Sequence, residues 1–561
     1  MAHPIPPTPA PSSEGGPPPR VGKAAALAGA ANLLGRISGL IREMVFAAFF
    51  GAGTVADAYN AAYRIPNLLR ELLAEGTLSN VYVPIFAETS EKQSLKHAWA
   101  LANALLGILL LILGLVTLLF WVAAEPFVYL VAGGFADVEG KVALTAQLTR
   151  LLSPFLVGLS VASLFGGMLN VRGRFFLPAL APSLLNLFVI IGCVAGPWWE
   201  ATTGLPAIGA VAVGATLSGF GTAAVQYPAL RKQGYRFRPR WVRHPALKRI
   251  AKFVGAALIG IVVVQFNLLV EMQLASRFGD GPVSYLIYGF RLVQLPQGVV
   301  ASSVAVAALA SLSILLARED RRGARKVLAH AMELNALLVV PSAVGLYLLA
   351  DPLIQIFFER GAFTHADTLA TAGVLRMYAI AVVGICFYRV LLPVFFALGD
   401  PYLPMRLSLV VMAAKLPVAI GLSDWMGLNG LPLSHAVTVT FEVVIMMWVL
   451  GRRFDGWEPG FWGQQIRIVL AAALMGGVVW SMRGWADGLG VLLVCAVGSV
   501  TYAFFALALG IREAKELLIK IFAKLHLLPV LGRLGMLPPP PAGGPPSDAV
   551  PGGRPDRTGE E

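Results

Sequence analysis

The residues able to do chemistry in this chain are concentrated between Gly35 and Glu88. There Arg36, Arg42, Glu43, Asp57, Arg64, Arg70, Glu71 and Glu75 are set into segments otherwise apolar enough to cross a bilayer. An ionisable side chain at bilayer depth costs about 2.5–3.5 kcal/mol even on the mildest scales. So many in two neighbouring segments must face water, a partner or a ligand. A guanidinium keeps its charge and offers a planar fork to phosphate oxygens, so the chemistry these arginines suit is capture of an anion that sheds water on entering the membrane. On an ideal helix Arg36 and Glu43 fall about 20° apart around the axis and Arg42 about 120° away. Either Arg36 is neutralised by its neighbour while Arg42 faces a cavity, or the reverse. In the second segment Arg64, Asn67 and Glu71 share one stripe with Glu75 next along it, a polar face turned inward.

The alternative for these charges is structural, a lattice of interhelix ion pairs or of arginines snorkelling from helix ends. That alternative is preferred for Arg64 and Glu71. Ligand contact is preferred for Arg36, Arg42 and Arg291, intramembrane arginines with few evident partners. Glu75 and Glu88 are placed to close one face of a cavity through carboxylate-to-basic pairs. Glu271, Arg389, Lys415 and Glu442 are isolated charges in later segments, read as pairs between lobes rather than as an ion pathway. Ser38 and Ser284 offer hydroxyls to a sugar or phosphate, or back to their own helix. Gly51, Gly53, Gly279 and Gly281 read as tight turns between segments. His365 and His435 have no metal-ligand partner at useful spacing, and no Walker loop, zinc motif or nucleophile elbow occurs, so no metal, cofactor or enzymatic step is expected.

The elements that must position these residues are membrane helices. The 561 residues are 57% hydrophobic and 13% charged, with a mean hydropathy of +0.72, outside the range of soluble domains. At about 20 apolar residues per crossing, fourteen spans are expected, at 25–50, 60–86, 98–122, 143–169, 176–197, 206–229, 250–276, 283–316, 328–350, 368–397, 404–423, 430–450, 464–483 and 488–510. Lysine and arginine collect in alternate loops, most densely from Arg231 to Arg249, whereas Asp57, Glu125, Asp137, Glu200, Asp280, Asp351 and Asp424 mark the opposite loops. This is the positive-inside pattern, with both termini cytoplasmic. It also accounts for the net charge of +13 without nucleic acid. The three cysteines, each inside an apolar segment, argue against a disulfide framework.

The chain repeats itself at an offset of 226 residues: Glu125-Pro126 matches Asp351-Pro352, Arg150 matches Arg376, Gly158 matches Gly384, Gly173 to Pro178 matches Gly399 to Pro404, and Gly204-Leu-Pro206 matches Gly430-Leu-Pro432. Six spans separate matching points, so both copies enter the membrane in the same direction, related by a pseudo-two-fold axis along the membrane normal. The expected fold is therefore all-α and polytopic. Its parts are a disordered tail at 1–24, an N-lobe at 25–230, a basic loop at 231–249, a C-lobe at 250–453, two extra helices at 464–510, an amphipathic helix at 511–528 and a disordered tail at 529–561.

The motifs GLIRE, FGAG-x3-DA, R-I-P-N-L-L-R and AEG-x-L-S-x-x-Y-V-P-I-F-AE in the opening stretch resemble the N-terminal signature of the MurJ (MviN) lipid II flippases, of the multidrug/oligosaccharidyl-lipid/polysaccharide exporter superfamily. Tyr288-Gly-Phe-Arg291-Leu-Val-Gln-Leu-Pro296-Gln-Gly298 and Glu359-Arg-Gly-Ala-Phe-Thr364 are similar too, and the resemblance covers roughly residues 25–515. It implies two six-helix lobes around a cationic cavity that carries undecaprenyl-pyrophosphate-linked peptidoglycan precursor from the inner to the outer leaflet of the bacterial cytoplasmic membrane by alternating access. By the same resemblance Arg36, Arg42, Arg70 and Arg291 hold the substrate. Glu43 pairs with an arginine, and Asp57 stands at the family's acidic position. Asn67, Glu75 and Ser284 join Glu43 and Asp57 as gate or ion-pair support. The extra helices imply a groove for the polyprenyl tail. Expected partners are lipid II, the surrounding membrane lipids and cell-wall synthesis enzymes. Two rivals remain: an exporter of another lipid-linked oligosaccharide, and a non-transporting scaffold that recruits cell-wall enzymes through its tails. A cationic-drug exporter is disfavoured because it calls for acids, not arginines, at midplane.

Overall fold

The computed structural model describes residues 19–73, 77–239 and 245–524. The expected terminal tails lie almost wholly outside these ranges, as do Glu75 and part of the basic loop. The described residues form helices and connecting turns, with no strand among them.

The N-terminal half comprises α1 (Pro19–Phe50), α2 (Thr54–Leu73), α3 (Thr77–Lys92), α4 (Leu95–Val122), α5 (Ala124–Ala132), α6 (Lys141–Leu152), α7 (Phe155–Val171), α8 (Phe176–Ala179), α9 (Ala181–Thr203) and α10 (Ile208–Arg231). The C-terminal half comprises α11 (Pro245–Ala275), α12 (Pro282–Pro296), α13 (Ser302–Ala317), α14 (Arg321–Leu348), α15 (Ala350–Phe358), α16 (His365–Ala397), α17 (Tyr402–Met426) and α18 (Gly430–Arg453). The appended α19 (Phe461–Ser481) and α20 (Gly490–Ala508) follow, then α21 (Arg512–Lys524). These elements fall, in order, on the fourteen expected spans. α2 with α3, α6 with α7, and α12 with α13 each share one span, and α5, α8, α15 and α21 are short additions. Nine helical stretches among the described residues are long and apolar enough to cross a membrane, Tyr402–Arg453 joining two helices in one stretch. The spans outside that set lie on helices that carry the intramembrane charges or are broken within the span. α12 is broken by a π turn at Gln297–Ala301 directly after Pro296, where the proline cannot donate its hydrogen bond. α1 begins at Pro19, earlier than the expected 25, where a proline is tolerated in the first turn and no further proline follows before the apolar run.

The internal repeat has a structural counterpart. Arg150 reaches Glu125 at 3.9 Å in the first half, and Arg376 pairs with Asp351 at the matching place in the second. Gly173 and Gly399 both take a left-handed conformation, with φ of 70° and 73°, which side chains resist. A Cβ on Gly158 would lie 2.6 Å from the Phe220 nitrogen of α10, and one on Gly384 2.8 Å from Val439 of α18. At this matched position each half uses a glycine to bring two helices together. The match of Gly204 with Gly430 fails in geometry: Gly204 turns with φ of 69°, whereas a 3-10 turn at Gly427–Asn429 moves the reversal to Gly427, φ 60°.

The halves meet through α2 on α12, α3 on α11, and α1 on α15. α19 packs on α14 and α20 on α19, outside the C-terminal half.

Candidate functional site

α1 and α12 bring the charges together. Arg42 donates to Glu43 on the same helix, and Arg291 of α12 donates to the same Glu43 oxygen at 3.1 Å. Two guanidiniums, one from each half, therefore share one carboxylate. Arg291 also donates to Gln294 at 2.9 Å, while its Nε, buried, has no partner. The side chains of Arg42 and Arg291 keep 18% and 26% exposure against 9% for Glu43, so the carboxylate is sealed and the cations are reachable. Arg42 and Arg291, read from the sequence as having few evident partners, find one in Glu43. Arg36, exposed, extends to the π turn, where a Cβ on Gly298 would meet its Nη1 at 2.6 Å. Two guanidiniums thus converge on one carboxylate, the excess of positive charge that an anion site requires, with Arg36 apart from them at the π turn.

Local sequence explains the placement. Gly35 and Gly39 lie one turn apart on α1. Asn186 of α9 donates to the Gly35 carbonyl at 3.1 Å and to Ser38 at 2.9 Å, and Gly39 leaves room for Arg291, whose Nη2 would lie 3.3 Å from a Cβ there. Ser38 is committed to Gly35 and Asn186.

A second polar cluster joins the halves at the end of the bundle that carries Gly51 and Gly279. Asp57 of α2 is fully buried and accepts from Lys141 Nζ at 3.0 Å, the Gly281 amide at 2.9 Å, the Ser284 amide at 2.8 Å and the Ser284 hydroxyl at 2.7 Å. Lys141 of α6, also fully buried, donates to Asp280 at 2.8 Å and lies 4.3 Å above the Phe135 ring. Partial burial pushes the Asp280 carboxyl up, but hydrogen bonds from Lys141 and Thr54 outweigh it and hold it below its ordinary value. Around this cluster Tyr288 donates to the Gly51 carbonyl at 2.8 Å, the Ala362 amide to Ala48 at 2.8 Å, and the Gly134 amide to Ser276 at 3.0 Å. Gly51, Gly279 and Gly281 are turn glycines with φ of 62°, 86° and 101°. At the opposite end Glu88 of α3 accepts from Arg249 of α11 and from Lys92, each at 2.9 Å, and these two cations hold its carboxyl below the usual range.

Arg64 donates to Gln265 of α11 at 3.0 Å, and Asn67 is buried one turn further. Arg70 belongs to the last turn of α2, but its side chain, like Glu75, lies outside what is described. Four isolated charges are corrected from interlobe pairs to pairs within the C-terminal half. Glu271 of α11 takes Lys415 of α17 at 3.4 Å and a hydrogen bond from Tyr378. Glu442 accepts from Ser408 at 2.7 Å. Arg389 of α16 faces Gln297, whose amide oxygen, turned toward it, accepts from Nε at 3.0 Å. All these helices belong to one half, so the pairs fix that half internally.

A family model described as lipid II flippase MurJ matches residues 46–500 of this chain. The chain belongs to the MurJ family. A probable lipid II flippase MurJ of Bdellovibrio bacteriovorus is 34% identical over 440 residues, 78% of this chain and 83% of its own. The solved structure titled lipid II flippase MurJ, inward closed conformation, superposes with a TM-score of 0.74 at 23% identity, over 89% of this chain and 99% of that one. An inward-facing multidrug resistance MATE transporter of the MOP superfamily shares the fold more loosely, with a TM-score of 0.57 at 15% identity over 77% and 94%. Within the MurJ fold, sequence reasoning missed Lys141. Its signal was present, a lysine two and four residues after Glu139 and Asp137 in a stretch where basic residues are otherwise scarce.

Proposed function

We propose that this protein is a lipid II flippase, carrying undecaprenyl-pyrophosphate-linked peptidoglycan precursor from the inner to the outer leaflet by alternating access. The observation that carries the reading is the bridge of Arg42 and Arg291 on Glu43, reachable cations contributed by both halves around a sealed carboxylate. Arg36, Arg42 and Arg291 take the pyrophosphate, and Arg70 completes the set on the strength of its motif. The charge alternation supports an inner-membrane protein with cytoplasmic termini and the Asp57 cluster at the outer face. In this reading the cluster is the outer gate, and Glu88 with Arg249 braces the inner one. The lobes are 25–230 and 250–453. The pair over 464–510 provides the tail groove, beside an apolar cavity of about 540 Å³ lined by Trp448, Trp457 and Trp462. Transport, not covalent catalysis, is the activity, which the sequence supports by carrying no nucleotide-hydrolysis or nucleophile motif.

The experiment is complementation. A host is depleted of its own lipid II flippase and lipid II exposure on the outer leaflet is followed with this protein, and with Arg36→Ala, Arg42→Ala or Arg291→Ala at equal membrane levels. Wild type restores exposure and the variants do not. If inserted wild-type protein restores nothing, the cargo is wrong; if the variants restore it fully, the arginines are structural.

A further inference from the structure

Where α21 docks against α14, two carboxylates are buried together. Glu333 of α14 and Glu513, in the first turn of α21, are each 3% exposed. Among the described residues no lysine or arginine forms an ion pair with either. Burying two acids side by side is strongly unfavourable unless a proton or a cation lies between them. The N-terminal end of α21 offers Glu513 partial compensation from its dipole, yet Glu513 Oε2 is buried without a hydrogen-bond partner. The other oxygen, Oε1, lies 3.5 Å from Nδ1 of His330. His330 and Glu333 are one turn apart on α14, hence on one face of it. One donor atom from each of His330, Glu333 and Glu513 falls within 4.8 Å of the others.

We infer that His330, Glu333 and Glu513 form a divalent-metal site of zinc type that clips α21 to α14. Zinc takes imidazole nitrogen and carboxylate oxygen at about 2.0–2.2 Å in a tetrahedron, whose edge is then about 3.4 Å. The 3.5 Å between His330 and Glu513 is already such an edge, and a small rotation of Glu333 completes the face. An imidazole ligand favours zinc over magnesium or calcium, which prefer all-oxygen shells. His330 is 46% exposed, so the ion has a route in and a fourth position open to water. The rest of the interface is modest, Ala514 and Leu517 against the α14 core with Ile511 beside them, so attachment of α21 depends on what holds its first turn.

The test uses full-length, untagged protein in detergent, stripped with chelator and re-equilibrated with zinc or, separately, magnesium. Bound metal is counted by mass spectrometry, and amide exchange is followed over 512–520. Wild type retains one zinc per chain and no magnesium, and zinc slows exchange in α21 several-fold. His330→Ala, at an exposed position that leaves the fold intact, and Glu513→Gln both lose the bound zinc and the protection. Zinc retained equally by both variants would place the ion elsewhere. Wild type retaining none would mean that the carboxylates share a proton, and magnesium retained in preference would overturn the zinc assignment.

Discussion

Replacing Asp57 with asparagine tests whether the buried cluster at the Gly51 end holds the two halves together. Asp57 and Lys141 both have zero side-chain exposure, and removing one partner of a buried pair costs about 3–5 kcal/mol. Asparagine keeps one oxygen for the Ser284 donors but turns an NH2 toward Lys141 or the Gly281 amide, so about 3 kcal/mol is the appropriate end. Because Asp57 belongs to α2 whereas Gly281 and Ser284 belong to the other half, this energy is lost when the halves part at this end. At about 1.4 kcal/mol per power of ten, the open population rises roughly a hundredfold. The reporter is a cysteine at Val283, 2% exposed beside the cluster, in a chain whose partly buried Cys495 is serine, labelled by a membrane-impermeant maleimide. A cysteine at Val211, fully buried within α10, reports global unfolding. Asp57→Asn should speed labelling at position 283 by about two orders of magnitude and leave 211 protected. Lys141→Met should do the same. The double variant, which removes both charges, should lose less than the sum of the singles. Unchanged labelling at 283 in both single variants would refute the assignment of closure to this cluster.

Gly51→Ala should open the same end: its φ of 62° is strained for alanine and its Cβ would lie 2.6 Å from the Ala362 carbonyl, a combined cost of more than about 1 kcal/mol, read as faster labelling at position 283. Asp280 is held below its ordinary value and so binds a proton more weakly in the closed state than when the cluster is broken; its contribution is present at neutral pH and lost as pH falls through that lowered value. Labelling at 283, divided at each pH by that of a free thiol because only the thiolate reacts, should therefore stay flat from pH 8 to about 5 and rise only below the ordinary aspartate range near pH 4; a rise in this ratio between pH 7 and 6 would point to another group. Glu88→Gln breaks an exposed, solvent-screened pair, so it should leave thermal stability unchanged while weakening the Arg249 contact, read as greater spin-label separation between α3 and α11. Gly39→Ala presses a methyl to 3.3 Å from the Arg291 guanidinium and should lower lipid II exposure in the complementation assay without lowering membrane levels.

The fold was legible because bilayer length, loop charge and a fixed repeat offset are all one-dimensional signals. Glu125, Arg150, Asp351 and Arg376 could be matched from the sequence alone, and they pair in the structure as the repeat implies. The partners within the site were less legible. Arg42 and Arg291 are 249 positions apart, and nothing in either helix announces that both reach Glu43. The helical wheel left open whether Arg36 or Arg42 pairs with Glu43; the structure gives Glu43 to Arg42, because a long flexible guanidinium can turn back along its own helix. Lys141 was missed for a different reason: a lysine near a segment boundary reads as a loop charge until its burial is known. Glu271 and Lys415 were seen as charges, but the choice between pairing within and between halves needs the third dimension.

The two polar clusters are mechanically one device, because they share helices. α12 carries Gly281 and Ser284 in and before its first turn and Arg291 seven residues after Ser284, about 10 Å along the axis. α1 carries Glu43 eight residues before Gly51, the turn glycine whose carbonyl receives Tyr288 of the same α12. If α12 moves as a rigid rod from its first turn to Pro296, breaking the Asp57 contacts also withdraws Arg291 from Glu43. In the closed arrangement the cations of both halves face one point, and an anion held there is bound by α1 and α12 together. Parting the halves divides those cations and leaves Glu43 beside Arg42 alone, a weaker anion site. Opening at the Asp57 end and loosening of the anion are then a single transition, and by reciprocity the bound anion stabilises closure. Added lipid II should therefore slow maleimide labelling at position 283 in wild type and do so far less in Arg291→Ala. Equal slowing in both would mean that the clusters move independently.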